Sequence, residues 1–255
     1  MMQNLHWLGA ARSASLGAMT GVPRRGLIGV LGGMGPLATV DFMAKVARLT
    51  PAERDQDHVP MIVHHVPQIP DRSAAIVAND DGPFLPLAAG LRLLAGAGAE
   101  AIVIPCNTAH HWFDRLANLT AVEMIHIADA VADEIARRPR RDIMLLATSG
   151  AVAARIYQDR IPPDVADVRA PDAATQEKID AVIRLVKAGA IDEARIAADA
   201  ALEHLADSDD DFLLACTELP LALAGSRWQA RLIDATDALA RACVARSLDA
   251  AARLN

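Results

Sequence analysis

Short, unbroken apolar runs recur along the chain: Leu27–Leu31, Met61–Val66, Ala101–Pro105, Met124–Ile127, Ile143–Ala147, Asp211–Ala215 and Leu232–Ile233. Runs of this length without polar alternation predict strands buried on both faces, as in a parallel sheet. Longer stretches with helical patterning separate them: Pro36–Leu49, Phe84–Ala97, Ala109–Leu116, Asp129–Arg138, Ala151–Asp159, Ala173–Ala188, Ile191–Leu205 and Ala235–Ala252. Asp172 with Thr175 three positions on marks a helix start, and Gly189 after Lys187 marks its stop. Strands alternating with helices predict a parallel α/β architecture.

The pattern repeats. LIGVLGGMGPLATVDFMAKVA, from residue 27, is a strand, a small-residue turn and a helix, and AIVIPCNTAHHWFDRL, from 101, is a strand, a cysteine and a helix. DIMLLATSGAVAARIYQDRI, from 142, repeats the first unit, and DFLLACTELPLAL, from 211, repeats the second. Order and spacing match, so two similar α/β units are predicted. We place the first over 26–125 plus 228–255 and the second over 126–227. Each unit carries a cysteine, Cys106 or Cys216, at the carboxyl end of a strand, where open parallel sheets build their sites. Two facing units would set these cysteines across a cleft.

Charge and composition narrow the function. A net charge of −7 argues against a nucleic-acid partner. No apolar run reaches the roughly 18 residues that a membrane span needs. The 3 cysteines are odd in number and far apart, which argues against a disulfide framework or a structural zinc and fits a reducing cytoplasm. Residues 1–25 read as a disordered extension or an early start, since Arg12, Ser13 and Ser15 break the apolar stretch a cleaved leader would need. The only lysines are Lys45, Lys178 and Lys187, so Schiff-base chemistry has few candidates.

Cys106-Asn107-Thr108 and Cys216-Thr217-Glu218 each follow a strand and precede a helix. A helix start stabilises a thiolate, and the short polar side chains add hydrogen-bonding groups beside it. Alone, either cysteine could be a small buried hydrophobe. Two at equivalent places suit one reaction class: one thiolate takes the α-proton of an amino acid and the opposite thiol returns a proton to the other face. Such a pair titrates as a unit. GGMGP at 32–36 fits the dinucleotide fingerprint, but no acidic residue ends the second strand. Its other reading lets the backbone around Met34 and Gly35 approach an anionic ligand, with Pro36 at the first helical position. Arg72, in PQIPDRS, is either a carboxylate-binding guanidinium or a solvated loop residue. Lys187 either binds a carboxylate or complements a helix dipole. His64 and His65 alternate along a strand, a poor geometry for a joint metal site. His110 or His111 could tune Cys106 or lie on the surface, and Cys243 reads as core.

GGMGPLAT, PQIPDR, PCNTAH, the lysine of VKAG and CTEL, in this order, resemble the aspartate-racemase branch of the aspartate/glutamate racemase superfamily. The likeness runs from about residue 26 to the C-terminus; glutamate-type relatives carry a DSGxGG-like opening and CTH in place of CTE. The resemblance implies two α/β domains related by pseudo-two-fold symmetry, an active site between them, no cofactor, no metal and a homodimer. It implies proton transfer by Cys106 and Cys216, and substrate carboxylates held by Arg72 and Lys187. Asn107, Thr108 and Thr217 would hold the α-carboxylate and amine, and Glu218 would position Cys216 or the ammonium group. Ala215, where Gly is usual, and Ser73, where Thr is common, depart from the pattern and bear on substrate preference. Three readings stay open: an aspartate racemase, a relative acting on glutamate, hydantoin or another amino acid, and a non-catalytic dinucleotide- or amino-acid-binding protein.

Overall fold

The computed structural model describes residues 25–139 and 142–252. The predicted 1–25 extension, apart from Arg25, lies outside the described residues. Two four-stranded parallel sheets form the molecule. The first contains β1 (Ile28–Gly32), β2 (Met61–His65), β3 (Ala101–Val103) and β4 (Glu123–Met124), in the order β2-β1-β3-β4. The second contains β5 (Ile143–Ala147), β6 (Val168–Arg169), β7 (Asp211–Ala215) and β8 (Leu232–Asp234), in the order β6-β5-β7-β8. The two orders are the same once shifted, which is the predicted duplication seen as topology.

The connecting helices are α1 (Pro36–Leu49), α2 (Arg72–Val77), α3 (Phe84–Gly96), α4 (Phe113–Ala117), α5 (Ile127–Ile135), α6 (Ser149–Ala153), α7 (Ala173–Lys187), α8 (Ile191–Glu203), α9 (Leu219–Ala222) and α10 (Ala235–Ala252). Pro36 begins α1, where its missing N–H costs nothing. Asp172 caps α7 by accepting from the Thr175 amide at 2.7 Å.

Strand alternation sorts the core. Ile28 and Val30 of β1, with Leu145 of β5 and Leu213 of β7, join one cluster shared by both halves. Leu31 turns the other way, into a cluster with α3, while Leu146 and Leu214 pack on α7 and α8. α10 lies against α1 and α5, tying the halves together. Residues 228–255, assigned to the first unit from sequence, divide: β8 pairs with β7 in the second sheet, and α10 packs on α1 of the first half and on α5, which opens the second. The predicted Ala151–Asp159 helix is also shorter, because α6 stops at Ala153 and Arg155 takes a left-handed φ of 51°.

Two glycines allow the close approaches that shape the site. Gly33, at φ 97°, leaves no room for a side chain, since a Cβ would lie 2.4 Å from the Val66 nitrogen. At Gly150 a Cβ would lie 2.6 Å from the Ser73 Cα, so α6 and α2 meet across the two halves only because this residue is glycine.

Candidate active site

Cys106 lies just beyond β3 and Cys216 directly follows β7, each the third strand of its half. Both are buried and both line one small cleft between the halves. Met34, Arg72, Asn107, Thr108, Lys187, Thr217 and Glu218 line the same cleft. Gly35 lies in an adjoining outer chamber, which shares Arg72, Lys187 and Glu218 with the inner one. The inner cavity has a volume of about 20 Å³ and the outer one of about 360 Å³. The inner cleft therefore fits a reacting carbon, and the outer chamber has room for the rest of a small molecule.

The two thiols have different neighbours. Cys216 donates its S–H to Glu218 Oε2 at 3.0 Å, and the Thr217 hydroxyl donates to the same oxygen at 3.2 Å. Burial pushes the Cys216 thiol well above its ordinary range; the Glu218 charge and hydrogen bond push it further, and Lys187 opposes them. Cys216 therefore rests as a thiol, not as the helix-stabilised thiolate that the strand–cysteine–helix pattern suggests. The helix after it, α9, has only four residues and begins beyond Glu218.

Cys106 is fixed through its backbone. Its carbonyl accepts from His110 Nδ1 at 3.0 Å, and His110 Nε2 accepts from the Ile127 amide at 3.2 Å. Burial lowers the His110 pKa to about 4, so the ring is neutral with its proton on Nδ1. His111 is exposed. Cys243 is wholly buried in α10, as the sequence predicts.

Arg72 is not a solvated loop residue. It is the first residue of α2, only 8% exposed, and Nη1 donates to the Ile69 and Pro70 carbonyls at 3.0 Å each. Its Nε is buried without a protein partner, a donor left for a ligand. Lys187 closes α7 and reaches across the halves, with Nζ 3.6 Å from Asp71 Oδ2. Burial works against the Asp71 carboxylate, but the Ala74 amide, Lys187 and Arg72 hold its pKa below the usual value. Asp71 also caps α2 through the Ala74 amide at 2.8 Å.

Further contacts close the cleft between the halves. Thr108 and Thr148 share a hydroxyl hydrogen bond of 2.9 Å, and the Gly150 amide donates to Ser73 Oγ at 2.8 Å. The Tyr157 hydroxyl donates to Asn107 Oδ1. Sequence reasoning missed Asp71, Thr148 and Tyr157. Asp71 and Thr148 each left a signal, an Asp or Thr three positions before the first-turn amide it caps; Tyr157 left none.

The GGMGP loop is no phosphate cradle. Its Gly33 amide is taken by Thr39 Oγ1 at 2.8 Å. A Cβ at Gly35 would lie 2.8 Å from Glu218 Oε1, so the opposite half's carboxylate already faces the loop and repels a pyrophosphate. Among the described residues, no helix is long and apolar enough to cross a membrane.

Comparison with known proteins agrees with this fold. A structure described as Picrophilus torridus aspartate racemase superposes with a TM-score of 0.80 at 31% identity, covering 87% of this chain and 94% of that one. Glutamate racemase from Thermus thermophilus, in complex with beta-chloro-D-alanine, superposes at 0.60 with 25% identity, over 91% of this chain and 83% of that one. The broad specificity amino-acid racemase RacX of Bacillus subtilis (strain 168) is 25% identical over 226 residues, covering 87% of this chain and 98% of its own. Residues 31–243 match the Asp/Glu/hydantoin racemase family as a whole. With both strand-end cysteines and the larger part of each half inside that span, the chain belongs to the Asp/Glu/hydantoin racemase family.

Proposed function

We propose that the protein is an amino-acid racemase that interconverts L- and D-aspartate without a cofactor, by α-proton transfer between Cys106 and Cys216. The observation that carries this reading is the pair of buried strand-end thiols lining one cleft with Arg72 and Lys187. The substrate α-carbon lies between the sulfurs. In one direction ionised Cys106 removes the α-proton, and Cys216, held as a thiol by burial and Glu218, protonates the opposite face. In the other direction the roles exchange.

The charge that develops when the α-proton leaves spreads onto the substrate carboxylate. Arg72, with its unpaired Nε, and Lys187 hold the carboxylates. Asn107, Thr108 and Thr217 hold the α-carboxylate and amine, and Glu218 positions Cys216. Met34 and Gly35 shape the wall opposite Glu218. Cysteine usage and the family likeness support a cytoplasmic homodimer acting on a free amino acid.

The test incubates purified protein with single L-amino acids and no added cofactor, followed by chiral chromatography. Formation of D-aspartate is expected. Turnover of glutamate or another amino acid in its place moves the assignment to the relative that acts on that substrate. No racemisation of any amino acid by folded protein refutes the reading.

A further inference from the structure

Tyr157, the chain's sole tyrosine, is wholly buried. It belongs to the second half, yet its hydroxyl donates to Oδ1 of Asn107, in the first half beside Cys106. It reaches that place because α6 ends early and the chain turns through the left-handed Arg155. Asn107 lines the inner cleft with both cysteines. Its Nδ2 is buried and has no protein partner.

A primary amide has one acceptor face and one donor face, and a side-chain amide can turn over. Here the Tyr157 proton occupies the acceptor face. A flipped amide would leave that buried proton without its acceptor and would turn Oδ1 lone pairs toward the cleft. Both changes are costly in a buried site. Burial also keeps the Tyr157 hydroxyl protonated, with Asp234 and the two cysteines acting in the same direction, so the lock holds through the working pH range.

We infer that Tyr157 is a positioning residue which fixes the Asn107 amide so that Nδ2 is presented to the substrate carboxylate where negative charge gathers as the α-proton leaves. This rests on the racemase reading. A donor aimed at developing charge acts mainly on the chemical step, not on ground-state binding. The single hydroxyl from one half therefore orients a donor in the other.

The test measures kcat and KM for aspartate with Tyr157→Phe, Asn107→Ala and the double variant, alongside urea unfolding. Tyr157→Phe is expected to lower kcat about ten- to a hundredfold while KM changes less than about threefold. The double variant should be no slower than Asn107→Ala alone, because once the amide is gone there is nothing to orient. Asn107→Asp gives a second route should Tyr157→Phe fold poorly: it keeps an acceptor for the tyrosine but offers no donor, so it should be as slow as Asn107→Ala.

Wild-type kcat in Tyr157→Phe or in Asn107→Asp overturns the inference. So do losses that multiply in the double variant, which a merely structural role would give. An active wild type with an unaffected Tyr157→Phe sinks this inference alone. A wild type that racemises nothing sinks the reading beneath it.

Discussion

Replacing Glu218 by glutamine keeps the side chain's length and its packing against Gly35 but removes the charge beside Cys216. At 3.0 Å, with an effective dielectric of about 20, a carboxylate and a thiolate repel by about 5.5 kcal/mol. This is a ceiling, since Lys187 reorganises and the new amide still meets the sulfur. Even a quarter of it, about 1.4 kcal/mol, raises the thiolate population about tenfold. The sign is fixed: removing a neighbouring negative charge favours ionised Cys216. The weaker basicity of that thiolate offsets part of the gain, so the net rate should rise about threefold. The assay uses the Cys106→Ser background, in which Cys216 is the only remaining cleft thiol and buried Cys243, its pKa raised by burial, stays silent. Exchange of the substrate α-proton in deuterated buffer at neutral pH, followed by proton NMR, reports Cys216 acting as base. Thiolate absorbance near 240 nm, followed against pH, reports its ionisation. If Glu218→Gln leaves the absorbance profile unmoved, the charge does not set the state of Cys216 and the reasoning fails.

Cys106→Ser and Cys216→Ser should each abolish racemisation, because a serine hydroxyl is too weak a base at neutral pH. One variant should still exchange the α-proton of L-aspartate without inversion and the other that of D-aspartate; near wild-type racemisation by either excludes the two-thiol mechanism. Arg72→Ala should lower kcat/KM for aspartate by about 3 kcal/mol, roughly a hundredfold, and for alanine far less. Equal small losses for both would leave Arg72 out of recognition. His110, lowered from 6.5 to about 4 by burial, must stay neutral in the fold. Its contribution is complete above pH 6.5 and is lost as pH falls toward 4, by about 3 kcal/mol in all, which urea unfolding across that range should register; His110→Gln should lessen the slope and leave the share of buried His126, which burial also lowers from 6.5.

The two cysteines were legible because the features that announce them are local. A continuous apolar run, a thiol and a polar residue occur twice at matching places, and the structure brings both to one cleft. α1 and α10 matched their predicted spans for the same reason, their patterns being long and bounded. Short elements carried too little signal. β6 is only Val168–Arg169, and Arg169 is exposed, so no apolar run betrays it. α2 hid in PQIPDRS, where two prolines read as loop while Asp71 caps a six-residue helix. β8 pairs with β7, a partner the sequence does not name, because pairing is set by three-dimensional packing and leaves no mark on one chain. Tyr157 lies 50 positions from Asn107, and the left-handed turn that brings them together sits at an arginine, a residue that gives no warning of it.

The two halves share a topology but not the chemistry beside their thiols, and the proposed reaction explains why that is tolerable. L- and D-aspartate are mirror images and equally stable in water, so the equilibrium constant is one. Microscopic reversibility then makes kcat/KM equal in the two directions, whatever surrounds each sulfur. An acidic residue beside Cys216 and a histidine bracing the backbone of Cys106 cannot bias the outcome. Glu218 instead keeps the proton on Cys216 at rest, and His110 fixes the backbone that carries Cys106. Each strand end was thus free to acquire its own supports, provided the pair still held one ionised and one protonated sulfur across the cleft. Glu218 makes that division definite: it accepts from Cys216 from one side while its other oxygen lies against Gly35 of the opposite half. The same carboxylate therefore fixes the protonated thiol and helps define the wall facing it, which ties the charge state of the site to the seating of one half on the other.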